Sequence, residues 1–519
     1  MLLATNYLSE KKYLKYKKKG VNIFLFNEIN FSTDNLKEDT FLNCNSEKVP
    51  STWYTWDEND KLLQVFKRKY PQFFNWNGYD MTLVFQKMLF WTNYKTGFLW
   101  YCKEKFYPNE EVCHIDPLHS YSIIKSGIRY LRTRFSYNES PKAISNVQAS
   151  DKYIGIHLKD DFELGLYEHF LKQSAETGQY RLFYEKDLNH ENKNRLGLKG
   201  QDITHIDYYS PVISFPKINP ITLKGAEWFV LTALIRHWDV INKWMFRAQQ
   251  ISASGIKKIL VNEAENGIYG ACFGEVMKKQ GIKMYNTMNG LKAGQAQDAF
   301  INFDRWFVWD EQMKKMLMEK CGLDEKRLLV AGHMMEDFAE GYVNQYSFGI
   351  SRERLEGKKV ISVFSIRTKR ETKLLSLAYL YELVKNNTEL FLIIRPHPAE
   401  KPEDYVLPDF ESDRIHWVNY NQKNSKTTLY DQICASDVCI VYGSTVALEC
   451  KWFGTACITF EPREHSLLYF ADGHETVHVN NMEAFKAAVK FILDKKQEIA
   501  LPQTHPSVAT KMIEYLRTD

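Results

Sequence analysis

"LYDQICASDVCIVYGSTVALECKWFGTACITF", residues 429–460, changes character at short intervals. "TLYDQICASD" has helical spacing, and "VCIVYG" is a short apolar, β-branched run that stops at a glycine. "TVALECKWFG" is helical again and also stops at a glycine, and "ACITFE" is a second apolar run. Apolar strands separated by helices suit a parallel sheet covered on both faces. The stretch therefore predicts a doubly wound α/β domain.

The same alternation extends outward. "KKVISVFSI" reads as a strand, "ETKLLSLAYLYELVKN" as a helix, and "LFLIIR" and "IHWVNY" as strands. A polar stretch around 340–358 reads as a linker. Before it come a long helix, "LKGAEWFVLTALIRHWDVINKWMFRAQQ", and the strand "IKKILVNE". The helix "IYGACFGEVMKKQG" and the strands "IKMYNTMNG" and "RWFVWD" follow, then the helix "EQMKKMLMEKCG" and the strand "RLLVAGH". At the start, "MLLATNYL", "SEKKYLKYKKKG" and "VNIFLF" read as β-α-β, the opening of a doubly wound sheet. Residues 51–110 look largely helical and aromatic. Residues 115–225 mix short strands with polar loops. The expectation is two Rossmann-like domains facing a cleft, residues 1–340 with an insertion at about 110–225, and residues 341–519.

A chain of 519 residues has room for two to four domains and a large core. Its net charge of +4 makes no general case for nucleic acid. The nine cysteines lack paired CxxC spacing, and several lie in apolar runs, which reads as reduced thiols in a cytoplasmic protein without a zinc site. The first 20 residues do not form a signal peptide, because the apolar run is short and the charges follow it. No run approaches the ~20 apolar residues of a membrane span.

In doubly wound sheets ligands bind beyond the carboxyl ends of the strands. Three features of the last third belong there. "SIRTKR", 365–370, offers Ser365, Arg367 and Lys369 before a helix. "RPHP" brings Arg395, His397 and Pro398 to the end of a strand that two prolines must terminate. "YGSTVALE" turns tightly from strand to helix, with Gly443 for close backbone approach and the hydroxyls of Ser444 and Thr445 at the helix start. Each has a plainer reading as a cap, a solvated turn or a packed ring, but together they favour an anionic ligand. The chain has no GxxxxGK[ST] and no GxGxxG after the first strand of either domain, which argues against a P-loop NTPase or a nicotinamide enzyme.

"RPHP" followed some 30 residues later by "LYDQICASDVCIVYGSTVALECKWFGTACITF" resembles the C-terminal domain of GT-B-fold glycosyltransferases of bacterial surface polysaccharides. The likeness is to the sialyltransferase and Kdo-transferase groups that use CMP-sugars, and it covers about residues 358–495. The resemblance implies that His397 and Pro398 form one donor-binding motif and Ser444 and Thr445 the other. Similar patterns occur in glycerophosphotransferases of teichoic acid synthesis and in sugar-nucleotide epimerases. "MNG", 288–290, stands where many relatives have "QHG".

The resemblance implies transfer of a CMP-activated sugar to a cell-surface glycan or lipid-linked acceptor, with no cofactor beyond the nucleotide-sugar donor. The acceptor would bind the N-terminal domain. The chain has no D-x-D motif, so metal-independent chemistry is expected, with helix amides, hydroxyls and positive side chains stabilising the leaving phosphate, His397 as the catalytic donor and Arg367 or Lys369 in support. An inverting transfer needs a base, and Glu263 and Glu265, at the end of "IKKILVNE", are the candidates. The basic segment 119–142, with Lys125, Arg129, Arg132 and Arg134 beside an apolar face, reads either as a peripheral contact with the inner face of a membrane or as a solvated helix on its own domain. The alternatives to a transferase are a CDP-polyol phosphotransferase, a UDP-sugar epimerase, or a non-catalytic glycan- or nucleotide-binding protein of the same fold.

Overall fold

A computed structural model describes residues 2–5, 18, 22–25, 52–90, 112–116, 154–177, 179–185, 194, 196, 203–205, 226–265, 267–288, 290, 296–340, 342–365, 370–397, 400, 413–418, 426–442, 444–460, 476–494 and 507–519. The chain divides into two compact units. The first is Met1–Met288 with Gly294–Phe307 and Leu317–Leu329; the second is Val330–Asp519 with Asn289–Ala293 and Val308–Met316.

The N-terminal strands differ from expectation. β1 (Leu2–Thr5) and β2 (Asn22–Leu25) pair in parallel, as a β-α-β unit requires. A hairpin of β3 (Asn75–Trp76) and β4 (Tyr79–Asp80) follows the helix Thr52–Lys69. The other neighbour of β1 is β5 (Val112–Asp116), and the order β2-β1-β5 is a sheet of its own. The opening residues therefore do not start the large sheet.

That sheet begins later, in the stretch whose sequence was hardest to read. β6 (Ile154–Leu158), β7 (Tyr180–Tyr184) and β8 (Ile203–His205) join β9 (Lys258–Asn262), β10 (Lys283–Thr287), β11 (Arg305–Val308) and β12 (Leu328–Val330). The order is β12-β11-β10-β9-β6-β7-β8. The chain winds outward from β6 to β8, returns to lay β9 on the other side of β6, and then winds the opposite way. The helix Gly267–Lys279, between β9 and β10, lies close against the end of β9. A Cβ on Gly270 would sit 1.6 Å from the Ala264 carbonyl oxygen, so only glycine permits this approach.

The second unit repeats the plan. β13 (Lys359–Phe364), β14 (Leu390–Arg395), β15 (Ile415–Trp417), β16 (Val438–Val441), β17 (Ala456–Phe460) and β18 (Thr476–Val479) form a parallel sheet in the order β15-β14-β13-β16-β17-β18. Strand alternation sorts its residues onto two faces. Ile361, Val363, Leu392, Ile394, Ile440 and Ile458 pack against Leu377, Leu380 and Val384 of the helix Arg370–Asn386 and Phe485 and Val489 of the helix Met482–Asp494. Val360, Phe391 and Ile393 face the other way, against Phe348, Ile350 and Leu355. Both faces are covered, which explains why these strands are apolar throughout. Each sheet thus has one switch point, between β6 and β9 in the first unit and between β13 and β16 in the second.

Candidate functional site

At the second switch point Ser365 follows β13 and Ser444 and Thr445 follow β16, while Arg395 and His397 lie at the end of the neighbouring β14. Ser365 directly follows β13, and its backbone N–H donates to the Arg395 carbonyl at 3.0 Å. The side chain is only 8% exposed, and its Oγ has no hydrogen-bond partner among the described residues. A buried hydroxyl without a partner carries a desolvation cost of roughly 1–3 kcal/mol, so it calls for an explanation.

Arg395 ends β14, pointing to the opposite face from Ser365. Both terminal nitrogens of its guanidinium lie 3.2 Å from the Thr428 hydroxyl. Burial pushes its pKa down to about 10, against the opposing pull of the Glu449 carboxylate. This guanidinium is an interior group that braces the strand end.

His397 is half-buried, and its backbone is tied to a neighbouring carboxylate. Its backbone N–H donates to the Glu400 carboxylate at 2.8 Å, and the Glu400 N–H returns a bond to the His397 carbonyl at 2.9 Å. Glu400 is buried and ion-paired with Lys373 of the helix Arg370–Asn386, which is buried as well. The sequence reading missed Lys373 and Glu400; the signal was a glutamate three residues after His397, at reciprocal-capping distance.

The turn after β16 differs from the expected cradle. Thr445 already has helical dihedrals, φ −57° and ψ −18°, and its side chain makes no cap bond. Ser444 Oγ accepts a long bond, 3.4 Å, from the Val446 N–H. The hydroxyls are therefore only weakly engaged with the short helix Val446–Trp452, because the chain enters helical geometry one residue early. Tyr442, just before the turn, is fixed by a 2.6 Å hydrogen bond with Ser376. Arg367, Lys369, Pro398 and Gly443 lie outside the described residues, as does the basic segment 119–142.

The first switch point separates the two candidate glutamates. Glu265 is fully buried; its carboxylate accepts from Asn286 Nδ2 at 2.6 Å, and its carbonyl accepts from Lys87 Nζ at 2.8 Å. Glu263 is half-buried and has φ +53°, a left-handed conformation that suits glycine or asparagine better. Its N–H donates to the Thr287 carbonyl at 2.8 Å. Left-handed backbone in a larger residue costs on the order of 1–3 kcal/mol, and such strain concentrates at functional sites.

Around Glu263 lies a polar cluster that sequence reading did not find. Lys159 and Asp160 follow β6. Asp160 caps the helix Asp161–Leu166 by accepting the Glu163 N–H at 3.0 Å. Glu163 accepts from the Lys159 N–H at 2.7 Å, the Lys159 ammonium at 2.8 Å and Asn262 Nδ2 at 3.0 Å. His157, fully buried in β6, lies 2.9 Å from the Tyr269 hydroxyl through Nδ1 and 3.2 Å from Glu185 through Nε2. Glu185 is also ion-paired with Arg247 of the helix Ala226–Ser252. The missed signal was "GIHLKDDFE", an apolar strand running into a D-x-x-E cap.

No group of three or more potential metal ligands occurs among the described residues, and none of their helices is long and apolar enough to cross a membrane. No family model matches the chain, and no curated protein matches it in sequence. Among solved structures it is similar to a proposed UDP-N-acetylglucosamine 2-epimerase from Listeria monocytogenes, with 14% identity over 71% of this chain and 96% of that one, at a TM-score of 0.51. It is also similar to the UDP-GlcNAc 2-epimerase of Methanocaldococcus jannaschii, with 13% identity over 71% of this chain and 100% of that one, again at 0.51. The likeness shows the fold, two Rossmann-like domains of the GT-B kind. It falls on UDP-sugar epimerases, whereas the sequence motifs resembled CMP-sugar transferases.

Proposed function

We propose that the protein is an enzyme acting on a nucleotide-activated sugar, and that it inverts a carbon of a UDP-sugar. The observation that carries the nucleotide site is Ser365, whose buried hydroxyl has no partner among the described residues at the switch point of the second sheet. A phosphate or ribose oxygen would supply that partner. Ser444, Thr445 and the His397 ring complete the reading, with Arg395 as a brace. Arg367, Lys369, Pro398 and Gly443 belong to the same proposed site on sequence grounds.

UDP-sugar inversion takes precedence over transfer of a CMP-sugar because the fold likeness covers nearly the whole length of two UDP-GlcNAc 2-epimerases. Glu263 is the proposed base, since the residue is only half-buried and its backbone strained, while Glu265 is buried and serves to hold the turn. The chemistry is proposed to need no divalent metal. Transfer to a glycan acceptor is the second reading, favoured by the HP and Ser/Thr motifs.

A thermal-shift panel of UDP, CMP, CDP and GDP tests the site, because a ligand at a hundred times its Kd stabilises by about 2.7 kcal/mol. UDP should give the largest shift, and Ser365→Ala should reduce it without unfolding the protein. A larger shift with CMP would return the reading to a CMP-sugar transferase. No shift with any nucleotide would remove it.

A further inference from the structure

Glu263 can serve as a base only while its turn keeps a backbone conformation that glutamate does not favour, φ +53°. Contacts elsewhere must therefore hold the turn. The end of β10 supplies them. The Glu263 N–H donates to the Thr287 carbonyl at 2.8 Å, and the next N–H, that of Ala264, donates to Asn286 Oδ1 at 2.7 Å. The other end of the same amide, Asn286 Nδ2, donates to the Glu265 carboxylate at 2.6 Å. A backbone N–H only donates and a carboxylate only accepts, so a single orientation of the amide satisfies both.

Asn286 thus bridges the two residues that follow Glu263. Asn286 and Glu265 are fully buried, and Ala264 is buried as well. Of Glu263, Ala264 and Glu265, only Glu263 keeps exposed surface. The other side of the Ala264 peptide is closed by Gly270 of the helix Gly267–Lys279, whose backbone abuts the Ala264 carbonyl. The turn is therefore clamped between a strand and a helix, and Asn286 is the side chain that closes the clamp from the strand. Alanine or leucine in its place would leave the Ala264 N–H without this acceptor. Aspartate would set a second carboxylate against that of Glu265.

We propose that Asn286 is a positioning residue for the reaction: its side-chain amide, by joining the Ala264 N–H to the Glu265 carboxylate, fixes the left-handed turn that presents the Glu263 carboxylate. The inference rests on the reading of Glu263 as the base. Asn286 itself is too deeply buried to touch a substrate, and it moves no proton. It acts through backbone geometry. Once the bridge is broken, Glu263 can relax toward ordinary dihedrals, and its Cα–Cβ bond swings with them. A displacement of about 1 Å in a reacting group can cost roughly 10²-fold in rate. Nucleotide binding lies apart from this effect, since the proposed nucleotide site belongs to the second unit.

Exchanging the two ends of the bridge tests this. Asn286→Asp keeps an acceptor for the Ala264 N–H but opposes two carboxylates. Adding Glu265→Gln restores the bond with donor and acceptor reversed and the total charge unchanged. Steady-state turnover of a UDP-sugar, the UDP thermal shift and the urea midpoint are measured for wild type, Asn286→Asp and the double variant. Asn286→Asp should lower kcat by roughly 10²-fold, with KM and the UDP shift unchanged. The double variant should return kcat to within tenfold of wild type, and that comparison still decides if Asn286→Asp alone does not fold. Asn286→Asp within tenfold of wild type, or a loss carried by KM, overturns the positioning role and leaves the function standing. A double variant whose kcat stays low, with or without recovery of its urea midpoint, does the same. A wild type that turns over no UDP-sugar, or Glu263→Gln at full rate, overturns the reading on which the proposal rests.

Discussion

The His397 N–H and the Glu400 carboxylate are 2.8 Å apart, and that carboxylate is itself buried against the Lys373 ammonium. The loop that presents His397 is thus anchored to a helix beneath the sheet. Removing one partner of a buried pair typically costs about 3–5 kcal/mol, because the other charge stays buried without compensation. Glu400→Gln should lower stability in urea by an amount of that order and weaken UDP binding. Lys373→Met combined with Glu400→Leu should recover much of the stability but not the binding, since the His397 N–H would still lack its acceptor. Equal recovery of both would mean that the anchor serves the fold alone.

Ser365 gives the opposite expectation. Its Oγ contributes no hydrogen bond among the described residues, so Ser365→Ala removes a buried polar atom without stranding a partner. Stability should stay level or rise by up to about 1 kcal/mol, while nucleotide affinity falls. Chemical denaturation and a UDP titration measure the two quantities separately. A loss of stability with unchanged affinity would assign the hydroxyl to the core.

Five strands of the second sheet were legible because each carries its own signal, whereas the half-exposed β18 was not read. "VISVF", "LFLIIR" and "VCIVY" are apolar on both faces, and the helices between them end at glycine or polar turns. The first sheet was only half legible. β6 contains a histidine, β8 has three residues, and neither stands out among polar neighbours. The helix Met482–Asp494 and the C-terminal helix Val508–Thr518 were not read either. His157 gains its meaning from partners that local pattern does not connect. Glu185 arrives from the next strand, and Arg247 reaches Glu185 from 62 residues further on. The Glu263 conformation likewise depends on how the turn meets Thr287 and how closely Gly270 approaches Ala264.

That strained turn yields a trade-off. Glu263→Gly places at φ +53° a residue that adopts it freely. The gain should be about 1 kcal/mol or more of relieved strain, reduced by the greater freedom of glycine in the unfolded chain. Activity should fall by about 10²–10⁴-fold if the carboxylate is the base. Parallel measurement of the urea midpoint and of turnover tests both halves. A variant that is no less active removes Glu263 from the chemistry.

Lys87 supports the same turn from a distance. Its buried ammonium donates to the Glu265 carbonyl at 2.8 Å and the Gln297 carbonyl at 2.5 Å. Lys87→Met keeps most of the volume but leaves those carbonyls without that donor. A cost of roughly 1–3 kcal/mol is expected, with turnover reduced more than UDP affinity, because Glu263 is displaced while the second unit is untouched. Equal losses in both would place the effect in global destabilisation.

Glu336 sets a pH dependence in the second unit. Burial raises its carboxyl to about 7, the His333 N–H opposes that rise, and the neighbouring Asp337 adds to it. Asp337 meanwhile holds the C-terminal helix by accepting the N–H groups of Val508 and Ala509 at 2.6 and 2.8 Å. An acid with a raised folded-state pKa binds its proton more tightly in the folded chain than in the unfolded one. The stability this gives is fully present below the ordinary pKa of 4.5 and is lost as pH rises to about 7. The loss should approach about 3 kcal/mol, since each tenfold difference in proton affinity between the folded and unfolded chain is worth about 1.4 kcal/mol. Glu336→Gln keeps an acceptor for the His333 N–H and cannot ionise. Urea unfolding of wild type and variant at several pH values between 4 and 8 should therefore show the two curves diverging, with the variant gaining relative to wild type as pH rises. Parallel curves across that range would mean that Glu336 ionises in the folded chain as it does in the unfolded one, and the carboxylate would then have to be solvated or paired in the native state.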